Sequence, residues 1–80
     1  MITKQVVDIV VDLLGVEEAQ VTPDAMLIED LNADSLDAVE LAMRLEEYFN
    51  IKVEDTEIED MKTVADIVRT IQHYCPDLEV

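Results

Sequence analysis

Residues 34–50 read DSLDAVELAMRLEEYFN, and the order of apolar and polar positions in this stretch decides the fold. Residues 35–49 are good helix formers throughout. Asp34 offers a side-chain oxygen as N-cap, Asp37 three residues later completes a variant capping box, and Asn50 suits the position that ends a helix. At about 100° per residue, Ala38, Leu41, Ala42, Leu45 and Phe49 share roughly 100° of arc, a stripe that neighbouring helices must cover. Leu36, Val39 and Met43 lie more than about 90° from the centre of that stripe, flanked by Glu40, Glu46 and Glu47. This helix therefore carries two apolar faces, and bundle packing accounts for only the first.

Upstream, Val6, Val10, Leu13 and Leu14 fall at i, i+4, i+7 and i+8, which predicts a helix over residues 4–14 with Thr3 as N-cap and Gly15 at its left-handed end. Residues 16–31 form a long connection with a turn at Thr22-Pro23-Asp24 and apolar anchors at Val21, Met26, Leu27, Ile28 and Leu31. Those anchors predict that it packs down rather than waving free. Downstream, Ile51-Lys52-Val53 reads as extended and leads into a short helical turn over residues 55–60. Thr63 and Asp66 then form a capping box for a last helix in which Val64, Ile67, Val68, Ile71 and Tyr74 keep helical spacing, and Pro76 closes it. The expected fold is all-α: a small antiparallel four-helix bundle, three main helices and one short, with a long loop between helices one and two. Its core should be aliphatic, with Phe49 as the one large ring.

Eighty residues suit one domain, spanning 1–80, and one Gly with two Pro leave little material for the turns of an all-β fold. Twenty acidic residues against five basic ones give a net charge of −15, which repels nucleic acid and anionic membranes and favours basic protein partners. Cys75 stands alone, so no intramolecular disulfide is available, as suits a reducing compartment. No apolar run is long enough to span a bilayer, and no signal-like segment opens the chain. The expectation is a cytoplasmic monomer, or an organellar one if a transit segment has been removed.

An apolar patch rimmed by one sign of charge has the character of a transient docking surface, since the rim steers a basic partner and the centre supplies desolvated contact. The competing arrangement folds the loop 16–31 over Leu36, Val39 and Met43 and buries them. Ser35 is the other notable residue. Because Asp34 already serves as cap, the Ser35 hydroxyl at the first helical position is free, near unsatisfied backbone N–H groups that suit a phosphate. A phosphorylated or phosphodiester-linked serine is electrostatically plausible there, although Asp34 and Asp37 oppose it. A Ser35–His73 hydrolase would need an orienting third group and an oxyanion partner, and neither shows in the sequence. A calcium loop would need spaced carboxylates around a glycine, whereas Gly15 follows Leu13-Leu14, and no metal site is expected. An unmodified acidic helical adaptor remains as an alternative, and it has no use for a free serine. Cys75 lacks cationic neighbours and reads as an incidental thiol.

The stretch Glu29-Asp30-Leu31-Asn32-Ala33-Asp34-Ser35-Leu36-Asp37-Ala38-Val39-Glu40-Leu41 closely resembles the prosthetic-group site of acyl carrier proteins of dissociated fatty acid synthesis. Leu14-Gly15-Val16, Leu45-Glu46-Glu47-Tyr48-Phe49 and Met61-Lys62-Thr63-Val64-Ala65-Asp66-Ile67 are similar to other parts of that family, so nearly the whole chain is covered. The resemblance implies a non-catalytic carrier in which Ser35 bears 4′-phosphopantetheine, donated by coenzyme A through a separate magnesium-dependent transferase. It also implies that acyl chains ride on the arm's thiol as thioesters and shelter between helices. By the same resemblance Asp34, Leu36, Asp37, Val39, Glu40, Met43, Glu46 and Glu47 match the positions that recognise phosphopantetheinyl and acyl transferases, ketosynthases, reductases and dehydratases. Asn32 stands where the family usually has glycine, and Glu54 where proline is common. Asparagine tolerates positive φ, so the turn can survive. The departures fit a discrete carrier of a polyketide or specialised lipid pathway as an alternative to general fatty acid synthesis.

Overall fold

Helix α1 covers Ile2–Leu14 in the computed structural model, which describes residues 1–80. It begins two residues before the expected start, and Met1 rather than Thr3 occupies the N-cap. The reason lies far away in sequence: the Ile2 and Thr3 N–H groups donate to the carbonyls of Glu79 and Val80, each at 2.9 Å. The two chain ends thus close on each other, and the early start buries Ile2 completely beside Val6 and Val10. At the other end Gly15 has φ 66°, the left-handed geometry that releases the chain from a helix without a Cβ penalty, and its N–H donates to Val11.

Helix α2 (Ser35–Phe49), short helix α3 (Asp55–Asp60) and helix α4 (Val64–Tyr74) follow as expected, and a one-turn 3₁₀ segment at Glu18–Gln20 lies in the long loop. There are no strands. Helix α1 packs on both α2 and α4, while α3 touches chiefly α2. Leu41, Ala42 and Leu45 are buried under α2, with Ala38 and Phe49 only half-buried at the margins of the stripe. The core is aliphatic, and Phe49 packs against its edge rather than filling its centre.

The loop is held by backbone. Leu27 N–H donates to the Lys62 carbonyl, and the Val64 and Ala65 N–H groups donate to the carbonyls of Ala25 and Pro23, at 3.0 to 3.1 Å. An isolated antiparallel bridge joins Met26 to Thr63. These bonds answer two needs at once, since the first N–H groups of a helix have no partners within it. Val21, Ala25, Leu27 and Leu31 are buried by this arrangement, whereas Ile28, expected as an anchor, is 59 % exposed. Asn32 adopts φ 61°, so asparagine accommodates the positive φ of the turn that leads into α2.

The cap of α4 forms as expected: Asp66 N–H donates to Thr63 Oγ1 at 3.1 Å, and Asp66 Oδ2 accepts from the N–H groups of Thr63 and Lys62. Burial pushes the Asp66 carboxyl up, but these N–H groups and the Arg69 guanidinium outweigh it and hold the group below its ordinary value of 3.8. A carboxylate with a depressed folded value stabilises the fold above the unfolded value, and that contribution is lost as pH falls through the folded one. Thr63→Ala is expected to cost about 1 kcal/mol in urea unfolding at neutral pH. The stability gap between wild type and Asp66→Asn should be full at pH 7 and shrink as pH drops below 3.8.

Candidate functional site

Ser35 opens α2. Asp34 Oδ1 accepts from Asp37 N–H at 2.9 Å, and Asp37 Oδ2 accepts from Asp34 N–H at 3.1 Å, so the capping box uses both aspartates and leaves the serine out. Ser35 is exposed, and its hydroxyl makes no hydrogen bond within the protein. The N–H groups of Ser35 and Leu36 also lack protein acceptors, as the first-turn position of both residues dictates. A phosphodiester on Ser35 Oγ therefore meets an open hydroxyl and free backbone donors, with no contact to break. The residues present fit such a group.

Beside Ser35 a cleft of about 590 Å³ runs between three segments. Met26 and Ile28 line it from the loop, Ala38 and Val39 from α2, and Ile58 and Met61 from α3 and its exit. Glu29, Glu59 and Lys62 contribute its polar margin. A depression of similar size between α1 and α2 is lined mainly by polar side chains, including Asp8, Asp12, Arg44 and Glu47, and offers little to an alkyl chain. The apolar cleft was not visible in helical periodicity, because its walls come from segments far apart in sequence. Two of its lining residues, Ile28 in the loop and Val39 on α2, are apolar side chains exposed outside the core.

The outer face of α2 is open. Leu36 is 79 % exposed, Met43 61 % and Val39 51 %, so the loop does not cover the patch. Asp34, Glu40 and Glu47 are also exposed, and Asp37 is half-buried in its capping box. Glu46 differs from the others: it is half-buried, and its Oε2 accepts from Val53 N–H at 2.8 Å, which ties α2 to the lead of α3. Arg44, not singled out from the sequence, pairs with Asp12 at 2.9 Å and with Glu40 at 3.5 Å, joining α1 to α2 and neutralising part of the acidic rim. Its i+4 spacing from Glu40 was the available signal.

His73 sits exposed in the last turn of α4 with its ring edge-on to Tyr74 and has no bond to Ser35. No group of three His, Cys, Asp or Glu side chains is disposed to hold a metal ion. Cys75 is a half-buried free thiol at the end of α4.

An exposed, unengaged serine thus lies beside an apolar cleft on an acidic helical bundle. A family model described as the phosphopantetheine attachment site matches residues 4–71. An acyl carrier protein of Akkermansia muciniphila is 55 % identical over 71 residues, 89 % of either chain. A solved structure of a Mycobacterium tuberculosis protein assigned as a candidate acyl carrier protein superposes with a TM-score of 0.87, covering 92 % of this chain and 99 % of that one. At 23 % identity the second likeness concerns the fold alone. The chain belongs to the acyl carrier protein family and carries phosphopantetheine. Membership implies dealings with enzymes of fatty acid synthesis, and no helix is long and apolar enough to cross a membrane.

Because Leu36 and Met43 contact solvent, Leu36→Ser or Met43→Ser should change unfolding free energy by no more than about 0.5 kcal/mol. Leu45→Ala, at a fully buried position, should cost about 2 to 5 kcal/mol in the same urea titration.

Proposed function

We propose that Ser35 is the attachment residue, that residues 1–80 act as one non-catalytic carrier domain, and that the outer face of α2 presents its cargo to enzymes of fatty acid synthesis. The observation that carries this reading is the unengaged Ser35 hydroxyl at the mouth of the apolar cleft. In the loading step Ser35 Oγ gives up its proton and forms a phosphodiester, while adenosine 3′,5′-bisphosphate leaves from coenzyme A. When bound, the arm supplies a terminal thiol that holds acyl groups as thioesters. The chain's own residues do the rest. Asp34 and Asp37 keep Ser35 out of the helix cap. Met26, Ile28, Val39 and Ile58 offer an alkyl chain a surface away from water.

Docking follows from charge and shape. Asp34, Glu40 and Glu47 rim Leu36, Val39 and Met43, and this combination fits basic surfaces on the transferases, ketosynthases, reductases and dehydratases of the pathway. Exposed ion pairs are worth only about 0 to 1 kcal/mol each, which suits a carrier that must leave every enzyme quickly. Asp34, Asp37 and Glu46 make weaker contributions, since each already has a carboxylate oxygen engaged by the fold. The chemistry points to the cytoplasm or to an organelle matrix, both of which keep Cys75 reduced.

Incubation with coenzyme A, magnesium and a broad-specificity phosphopantetheinyl transferase should add one phosphopantetheine to the intact mass, mapped to the peptide containing Ser35. Ser35→Ala should remain folded and gain nothing; loading of that variant would place the attachment elsewhere. Charge reversal at Glu40 and Glu47 together should raise KM for loading several-fold at low salt, with the difference closing as ionic strength rises.

A further inference from the structure

Helix α3 forms one wall of the cleft, and its one apolar anchor on the core is the half-buried Ile58. It is six residues long, contains no buried residue, and is far shorter than a helix that persists without tertiary support. Its exit is fixed by buried Met61 and by the Lys62 carbonyl that accepts from Leu27 N–H. Its entry depends on Glu57. The Oε1 atom of Glu57 accepts from Glu54 N–H at 3.3 Å, and it also accepts from the hydroxyl of Tyr74. Tyr74 lies in the last turn of α4, and its bond to Glu57 is the one side-chain hydrogen bond from within α3 to another helix. The adjoining residues Ile58 and Glu59 line the cleft. Any movement of Glu57 away from Tyr74 therefore moves the wall.

We propose that Tyr74, acting through Glu57, is a positioning residue that sets how far the cleft beside Ser35 opens and hence which acyl chain lengths it shelters. The statement about chain length rests on the carrier reading above; the statement about α3 does not. The acidity of Tyr74 agrees with it. The hydrogen bond to Glu57, with burial and the charges of Glu57 and Glu54, raises the Tyr74 hydroxyl above its ordinary value of 10.0, so the group stays a donor across the physiological range.

Tyr74→Phe removes the hydroxyl and keeps the ring. In the unloaded protein, amide exchange over residues 55–60 should speed up by about two- to tenfold, the factor that loss of one such bond gives, with α1 and the middle of α2 unchanged. Glu57→Gln retains an acceptor oxygen and should stay near wild type, whereas Glu57→Ala should behave like Tyr74→Phe. For the cargo, Ser35 is loaded with acyl-pantetheine from six- to sixteen-carbon acyl-coenzyme A, and thioester cleavage by hydroxylamine is timed. The chain length of greatest protection should shift upward in Tyr74→Phe. Unchanged exchange over residues 55–60 would overturn the latch, and faster exchange with an unchanged length profile would overturn its role in cargo selection. Failure of Ser35 to load at all would instead sink the attachment reading, leaving the exchange result to decide whether Tyr74 holds α3.

Discussion

The placement of Ser35 depends on the backbone staple between the long loop and the start of α4. Each of its bonds is worth only about 0.5 to 1.5 kcal/mol net, and ordering a loop of this length is costly. What makes the staple hold is that it satisfies groups on both sides. Val64 and Ala65 head a helix and would otherwise keep unpaired N–H groups, and the Ala25 and Pro23 carbonyls supply the acceptors. Burial of Val21, Ala25, Leu27 and Leu31 adds the apolar contribution. With the loop fixed on the α4 side, it reaches α2 only across the cleft and leaves Leu36 and Met43 open. Asn32 then turns the chain, Ala33 N–H donates to the Leu27 carbonyl at 2.9 Å, and Asp34 arrives at the head of α2 with the serine facing out.

Charge is the second constraint. A chain of 80 residues with a net charge of −15 repels itself, and its compact state gains from any salt that screens the repulsion. Both arginines are placed where they help the fold. Arg44 joins α1 to α2 through Asp12, and Arg69 pairs with the capping Asp66. The acidic rim of α2 is left largely uncompensated. A surface that costs the isolated protein stability is one that a basic partner relieves, so the charge that strains the bundle is also what steers association.

Much of this was legible in the sequence, and the boundary between legible and hidden follows the range of the interactions. The starts of α2 and α4 were readable because Asp34 with Asp37, and Thr63 with Asp66, cap their helices within three residues. The start of α1 was not, because its caps are carbonyls of Glu79 and Val80 at the opposite end of the chain. Helical periodicity separated Leu36, Val39 and Met43 from the core stripe, but their exposure turned on the route of a loop that periodicity does not describe. The same limit hid the cleft, the exposure of Ile28 and the engagement of Glu46 by Val53, all of which need segments brought together by the fold.

The distribution of rigidity then matches what a carrier must do. Helix α2 is long, capped at its head by Asp34 and Asp37 and seated on a buried stripe, so its outer face and Ser35 keep one geometry. Helix α3 is short, has no fully buried side chain, and owes its place to the half-buried Ile58, the Glu57–Tyr74 bond and its exit at Met61. Cargo that must enter and leave needs one wall that can yield, and local stability concentrates opening in the element with the least buried surface. A bundle built the other way, with a loose α2 and a firmly packed α3, would lose the fixed docking face and gain a closed cleft. Glu54 at the entry of α3 supplies an N–H that Glu57 accepts, one of several ties that hold this wall.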